Sequence, residues 1–160
     1  MERFEDIYKA HRRDVESYVR RRAPADLVDD VVADVFVVCL RRIDEVPKTP
    51  LPWLYAVARK TLANERRRRS RAAPGELAFA RDPEPVGDTA LATAFAGLNE
   101  NDREILRLVA WEGLTPRQAA SVLDCSHVAA RVRYHRAKQR LAARLDDTPS
   151  VQPIQQGAMR

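Results

Sequence analysis

The sequence predicts an all-α fold built as two small helical domains joined by a flexible linker. Three observations carry that reading. Aromatic residues make up only 6% of the 160 and glycines number 5, too few for the many turns of an all-β sandwich, while strong helix formers recur throughout. Apolar residues return every three or four positions in segment after segment, which is the period of an amphipathic helix. A stretch rich in proline and glycine near the middle interrupts every such pattern and divides the chain.

A first helix is predicted over 4–22, where Phe4, Ile7, Tyr8, Val15, Tyr18 and Val19 share a face. Ala23-Pro24-Ala25 breaks it, and Asp26 reads as the N-cap of a second helix running to about Ile43. That helix carries Val28, Val31, Val32, Val35, Phe36, Val38, Cys39 and Leu40, so much of its circumference is expected to be buried. Pro47, Pro50 and Pro52 mark a loop, because proline lacks an amide donor and biases the residue before it away from helix. A third helix from Trp53 to about Arg69 follows, its apolar face made by Leu54, Val57, Ala58, Thr61 and Leu62. These elements form a first domain, residues 1–71. Pro74, Gly75, Pro83, Pro85 and Gly87 define a linker at 72–88. A second domain, 89–145, holds helices at 89–98 and 101–112 and a closely spaced pair at 116–123 and 127–145. The segment 146–160 has no period and is expected to be a disordered tail.

Charge is distributed to suit a polyanion. The net charge is +5, but residues 1–71 hold 17 Lys/Arg against 12 Asp/Glu, 72–98 hold 1 against 4, and 99–145 hold 9 against 5. Two basic blocks thus flank an acidic connector, and basic blocks bind nucleic acid by releasing its counterions. Solvated helix faces are the plainer reading of the same charges. Cys39 and Cys125 are the only cysteines, both in apolar surroundings, and are expected to be free thiols. The cysteines and histidines are too few and too badly spaced for a zinc site. No apolar run approaches the ~18–20 residues of a membrane span, and no secretory segment opens the chain. The expectation is a cytoplasmic protein without membrane insertion.

The most specific local signal lies in 113–141. Thr115 precedes Pro116, and Gln118 follows three positions after Thr115, which is a capping box with proline at the first helical position. Asp124-Cys125-Ser126 then supplies a tight turn, with Ser126 placed to cap the next helix. A short helix, a three-residue turn and a longer helix make helix-turn-helix spacing. In the longer helix Ala130, Tyr134, Ala137, Leu141 and Leu145 form a packing stripe, while Arg131, Val132, His135, Arg136 and Gln139 lie away from it and Arg133, Lys138 and Arg140 flank it. A small-residue stripe backed by a basic outer face fits the major groove, where Arg131 or Arg136 can pair bidentately with guanine, worth ~1–3 kcal/mol of discrimination.

These residues resemble a known family. Residues 98–145 are similar to region 4 of sigma-70-type initiation factors, with Leu98 and Arg103 before an apolar helix (Ile105, Leu106, Leu108), the run Glu112-Gly113-Leu114 to Leu123, and a basic helix ending Arg136-Ala137-Lys138 to Leu141. Upstream, Asp29 to Phe36 resembles the acidic and apolar helix of region 2, and Pro52-Trp53-Leu54-Tyr55-Ala56-Val57-Ala58-Arg59 resembles its Pro-Trp-Leu run. With no other sigma regions, the chain looks like the extracytoplasmic-function (ECF) subgroup.

The resemblance implies a non-enzymatic promoter-recognition subunit that binds core RNA polymerase and directs initiation from −35 and −10 elements, with no cofactor, metal or catalytic residue. It implies −35 contacts by Ser126, His127, Arg131, Val132, His135 and Arg136. It implies −10 contacts by Lys48, Arg59, Lys60, Asn64, Arg67 and Arg68, the loop from Asp44 to Leu51 helping to capture an unstacked base. Asp29, Asp30, Asp34 and Phe36 would dock on the polymerase β′ coiled coil, and the β flap is the other implied contact of core polymerase. Asp26 reads as a helix-dipole carboxylate and Trp53 as core rather than a stacking platform. An anti-sigma factor is an implied partner. Four departures from the family pattern stand out: Ala33 replaces a polar residue, Lys60 an asparagine, Val128-Ala129-Ala130 stand where Gly-Thr-Val is common, and Val132 replaces a frequent serine, which removes a hydrogen-bonding group from the reading helix.

A dimeric helix-turn-helix regulator would explain only 99–145 and leave the acidic helix without a role. A nuclease is disfavoured because His11, His127 and His135 are scattered and no carboxylate cluster joins them.

Overall fold

The computed structural model describes residues 1–73 and 89–147, and the predicted linker and tail fall almost entirely outside them. The described residues form seven α-helices: α1 Glu2–Arg20, α2 Val28–Arg41, α3 Pro50–Ala72, α4 Thr89–Ala96, α5 Glu100–Ala110, α6 Pro116–Leu123 and α7 His127–Asp146, with 3-10 turns at Ala25–Leu27 and Ile43–Glu45.

In the first half, α1, α2 and α3 pack on one another. Helix α1 buries Ile7, Val15, Tyr18 and Val19, and α2 buries Val28, Val31, Val32, Val35, Phe36 and Cys39. Helix α3 buries Pro52, Leu54, Tyr55, Ala58 and Leu62 near its start. Beyond Leu62 it runs on as a polar, basic extension. Its start is set by Pro50 at the first helical turn, where a missing amide costs nothing. This places the helix start three residues earlier than Trp53. Trp53 packs against the core, as expected of it.

Asp26 is not the N-cap of α2. Leu27 holds that position without a side-chain bond, a 3-10 turn having absorbed 25–27, and the Asp26 carboxylate instead accepts from Arg69 at 2.6 Å. That hydrogen bond holds the Asp26 carboxyl below the usual carboxylate range.

In the second half, α7 packs on α4, α5 and α6. Asn99 caps α5 by accepting from the Asp102 amide at 2.8 Å, and Asp102 in turn accepts from Arg140 at 2.8 Å, tying α5 to α7. Arg140, still 53% exposed, thus anchors its flank of α7 to α5. Gly113, at φ 69°, makes the reversal after α5 that few other residues adopt, closed by the Leu114 amide donating to the Leu108 carbonyl at 3.0 Å. The two halves are not held apart: α3 packs on α6, and the buried apolar residues of both form one continuous cluster. Both cysteines are free, Cys39 buried and Cys125 half-buried.

Candidate nucleic-acid interface

The helix-turn-helix is built by its caps. The Gln118 amide donates to Thr115 Oγ1 at 3.1 Å while the Thr115 amide donates to Gln118 Oε1 at 3.0 Å, so two otherwise unpaired donors are satisfied reciprocally. Asp124 ends α6 in the left-handed region at φ 53°, tolerable for a short polar side chain. Ser126 Oγ then accepts from the Ala129 amide at 3.1 Å and starts α7. The Ser126 oxygen thus accepts in the cap while its hydroxyl proton stays free to donate outward.

Ala130 and Ala137 are fully buried against the rest of the domain, which turns the opposite face of α7 to solvent. Arg131, Val132, His135 and Arg136 come together there, lining one shallow concavity with Val128 and Gln139, and His127 is exposed at the same end. Val128 was not singled out as a site residue; its register, four before Val132, is the signal that finds it.

On α3, four of the six residues expected at the −10 element converge. Arg59, Lys60, Asn64 and Arg67 line a cleft of about 440 Å³ between the two halves, with Arg67 donating to Asn64 Oδ1 at 2.8 Å. Arg68 turns aside to Glu65 at 2.7 Å, and Lys48 is exposed in the loop before α3, outside the cleft lining. The opposite wall comes from α5 and includes Glu100 and Glu104.

Helix α2 presents Asp29, Asp30 and Asp34 to solvent. Phe36 is a correction: it is 4% exposed, with its ring edge-on to Tyr8 at 4.8 Å, so it braces the helix from within and is not offered to a partner. The residues that continue the acidic stripe outward are Ala33, Val37 and Leu40, the last two 44% and 43% exposed. An acidic N-terminal end and an apolar C-terminal end thus share one face.

Between the halves lies a chain of alternating charges that the sequence did not announce. Arg21 donates to Glu112 at 2.5 Å, and Arg22 donates to Glu112 at 3.1 Å and to Glu104 at 3.1 Å. Arg107 continues it, 3.5 Å from Glu104 and 3.2 Å from Glu100. The Glu112 side chain is fully buried and that of Arg22 is 8% exposed. The Arg22 guanidinium also lies 3.7 Å over the Tyr18 ring. Burial opposes the charge on Arg22, yet the Glu104 and Glu112 carboxylates favour it and its pKa is raised. Arg107 is pushed down to about 10, first by burial and then by repulsion from Arg22.

With these surfaces in place, comparison with known proteins identifies the chain. Sigma-70 region 2 matches residues 7–72, and sigma-70 region 4 matches residues 88–141. The ECF RNA polymerase sigma factor EcfG of Rhodopseudomonas palustris (strain TIE-1) is 31% identical over 132 residues, 76% of this chain and 72% of that protein. The chain belongs to the ECF sigma factors. It directs promoter-specific transcription initiation through its region 2 and region 4 domains. The fold is shared with solved structures, a sigma factor among them. The sigma factor RpoE of Bartonella quintana, in complex with the anti-sigma factor NepR, aligns with a TM-score of 0.61 at 22% identity over 88% of this chain and 92% of the other. CnrH in complex with the cytosolic domain of CnrY aligns at 0.62 and 24% identity, covering 90% and 88%. The PhyRSL–NepR complex from Sphingomonas sp. Fr1 aligns at 0.65 and 19% identity, covering 97% and 95%. Among the described residues, no helix is long and apolar enough to cross a membrane, and no group of three or more His, Cys, Asp or Glu is placed to hold a metal ion.

Proposed function

We propose that this ECF sigma factor reads the −35 element with the outward face of α7, engages the −10 element with Arg59, Lys60, Asn64 and Arg67 of α3, and docks on core polymerase through Asp29, Asp30 and Asp34 of α2. The observation that carries this reading is the face of α7. Three of its side chains, Arg131, His135 and Arg136, lie beside Val132 on the side opposite two fully buried alanines, the arrangement a helix needs to enter the major groove. The domain assignment follows: 1–71 as region 2 and 89–145 as region 4. The protein acts in the cytoplasm, by binding alone. Ser126 caps α7 from the exposed end of this surface, and Phe36 braces α2 from within.

Arg136→Ala is expected to weaken −35 recognition by ~5- to 150-fold, the ~1–3 kcal/mol of one bidentate base contact, and to leave core binding intact. Promoter binding by the holoenzyme and sizing chromatography with core polymerase measure the two effects. Loss of core binding instead would undo the domain assignment. Asp30→Arg is expected to cut core binding, because it sets a cation on an acidic face that meets a basic surface, where like charges cost affinity and slow association. The same change should leave the affinity of region 4 for DNA unaltered; unchanged core binding refutes the docking role.

The packing of α3 on α6 has a functional consequence. The −35 and −10 elements are centred roughly 25 base pairs apart, about 85 Å at ~3.4 Å per pair. Two readers in mutual contact cannot span that distance, so the described arrangement is a resting form and the domains part on the promoter. The stretch between Ala73 and Thr89 reaches roughly 50 Å when extended, at ~3.3–3.6 Å per residue, which permits it. An anti-sigma factor that holds the two domains together would act on this equilibrium. The solved complex of the Bartonella quintana sigma factor RpoE with the anti-sigma factor NepR supports such a partner.

A further inference from the structure

Two exposed valines sit where a DNA-reading helix meets base edges. Val128 is 69% exposed and Val132 is 41% exposed, one turn apart near the start of α7. At 3.6 residues per turn, both project within about 20° of the point opposite buried Ala130. His135 and Gln139 continue the same line toward the C-terminus, and Arg131 and Arg136 flank it on either side. All six line one concavity.

Cations at the rims and apolar groups at the centre match the major groove, whose edges are phosphates and whose floor is base edges. The position matters too, because the N-terminal residues of a recognition helix are the ones that reach the floor. There an isopropyl group cannot satisfy the donors and acceptors of guanine, adenine or cytosine, and covering them strips their water without replacing it. The C5 methyl of thymine is the apolar group that this floor offers.

Resting on the reading of α7 as the −35 helix, we infer that Val128 and Val132 read thymine methyl groups and make thymine specificity-determining at two −35 positions. Four residues advance a helix by about 6 Å, against ~3.4 Å between base pairs. The two thymines therefore lie one or two base steps apart, on the same strand or on opposite strands.

The test uses holoenzyme assembled from this chain and core polymerase, on promoters selected from duplexes with a randomised −35 region. Each −35 thymine is then replaced by deoxyuridine, which lacks only the methyl group. Deoxyuridine at two positions is expected to weaken binding roughly three- to tenfold. Val132→Ala should abolish the sensitivity at one of these positions and Val128→Ala at the other; both sites are exposed, and circular dichroism checks that the fold is kept. Selected elements without fixed thymines overturn the inference. So does tolerance of deoxyuridine at every position where a scrambled −35 element still abolishes binding, and that result leaves α7 as the promoter reader. If scrambling also has no effect, the reading of α7 and the inference fall together.

Discussion

Replacing Arg22 with methionine is expected to part the two domains without unfolding either. Arg22 bonds both Glu104 and Glu112, and it also donates to the Tyr18 carbonyl at 3.0 Å. Methionine keeps much of the volume and removes the charge, leaving Glu104 beside Arg107, and Glu112 with Arg21 and the more distant Arg107, as the cations that face them across the described residues. Breaking a buried ion network by removing one partner costs ~3–5 kcal/mol, because the remaining charge is stripped of both water and partner. Separation restores water to both glutamates, so the chain relieves the penalty by opening. Small-angle scattering reads the outcome. A compact 160-residue chain has a radius of gyration of about 15 Å, and the variant should exceed this by several ångströms while far-UV circular dichroism is unchanged. A compact variant would show that the apolar contact of α3 on α6 suffices alone. Because the network is buried, raising the salt concentration should not reproduce the opening. Arg20→Ala removes only an exposed pair with Glu16 on the same helix, and should leave the scattering as it is.

What the sequence announced and what it withheld divide along the range of the interactions. The helix-turn-helix was legible because its determinants are local: the Thr115–Gln118 capping box fixes the start of α6 at Pro116, and Ser126 fixes the start of α7 at His127. The outward face of α7 followed from a 3.6-residue period with buried alanines on one side. In α2 the same reasoning was weaker, because valine is common all round the helix. Periodicity alone could not separate buried Phe36 from its exposed neighbour Val37. Asp26 had the chemistry of a cap, but a 3-10 turn took its position and Arg69 took its carboxylate. The interdomain network was invisible for a different reason. Arg22 meets Glu104 across 82 residues and Glu112 across 90, and an Arg-Arg pair in the last turn of a predicted helix reads as ordinary solvated charge. Resemblance to the family supplied roles to surfaces, but it did not say that those surfaces meet.

Tyr18→Ala is expected to be the most damaging single truncation in region 2, and Tyr18→Phe nearly harmless. Tyr18 is fully buried, and its ring stacks on Tyr55 at a centroid distance of 4.7 Å and an interplanar angle of 16°. Its other role is to carry the Arg22 guanidinium 3.7 Å above the ring, which couples the region 2 core to the domain lock. Truncating a buried aromatic costs ~3–5 kcal/mol in lost burial and residual cavity, roughly a 10 °C fall in Tm for a chain of this size. The hydroxyl is another matter. The Tyr18 Oη is buried with no hydrogen-bond partner among the described residues, and burial raises its pKa, keeping it neutral. A buried donor without a partner carries a desolvation cost of ~1–3 kcal/mol, so phenylalanine should match or exceed the native Tm. The two substitutions therefore separate the ring from the hydroxyl. If phenylalanine destabilised as much as alanine, the stabilising element would be an oxygen contact rather than the stacked ring. If both were neutral, Tyr18 would not anchor the core, and Arg22 would hold the domains without the platform beneath it.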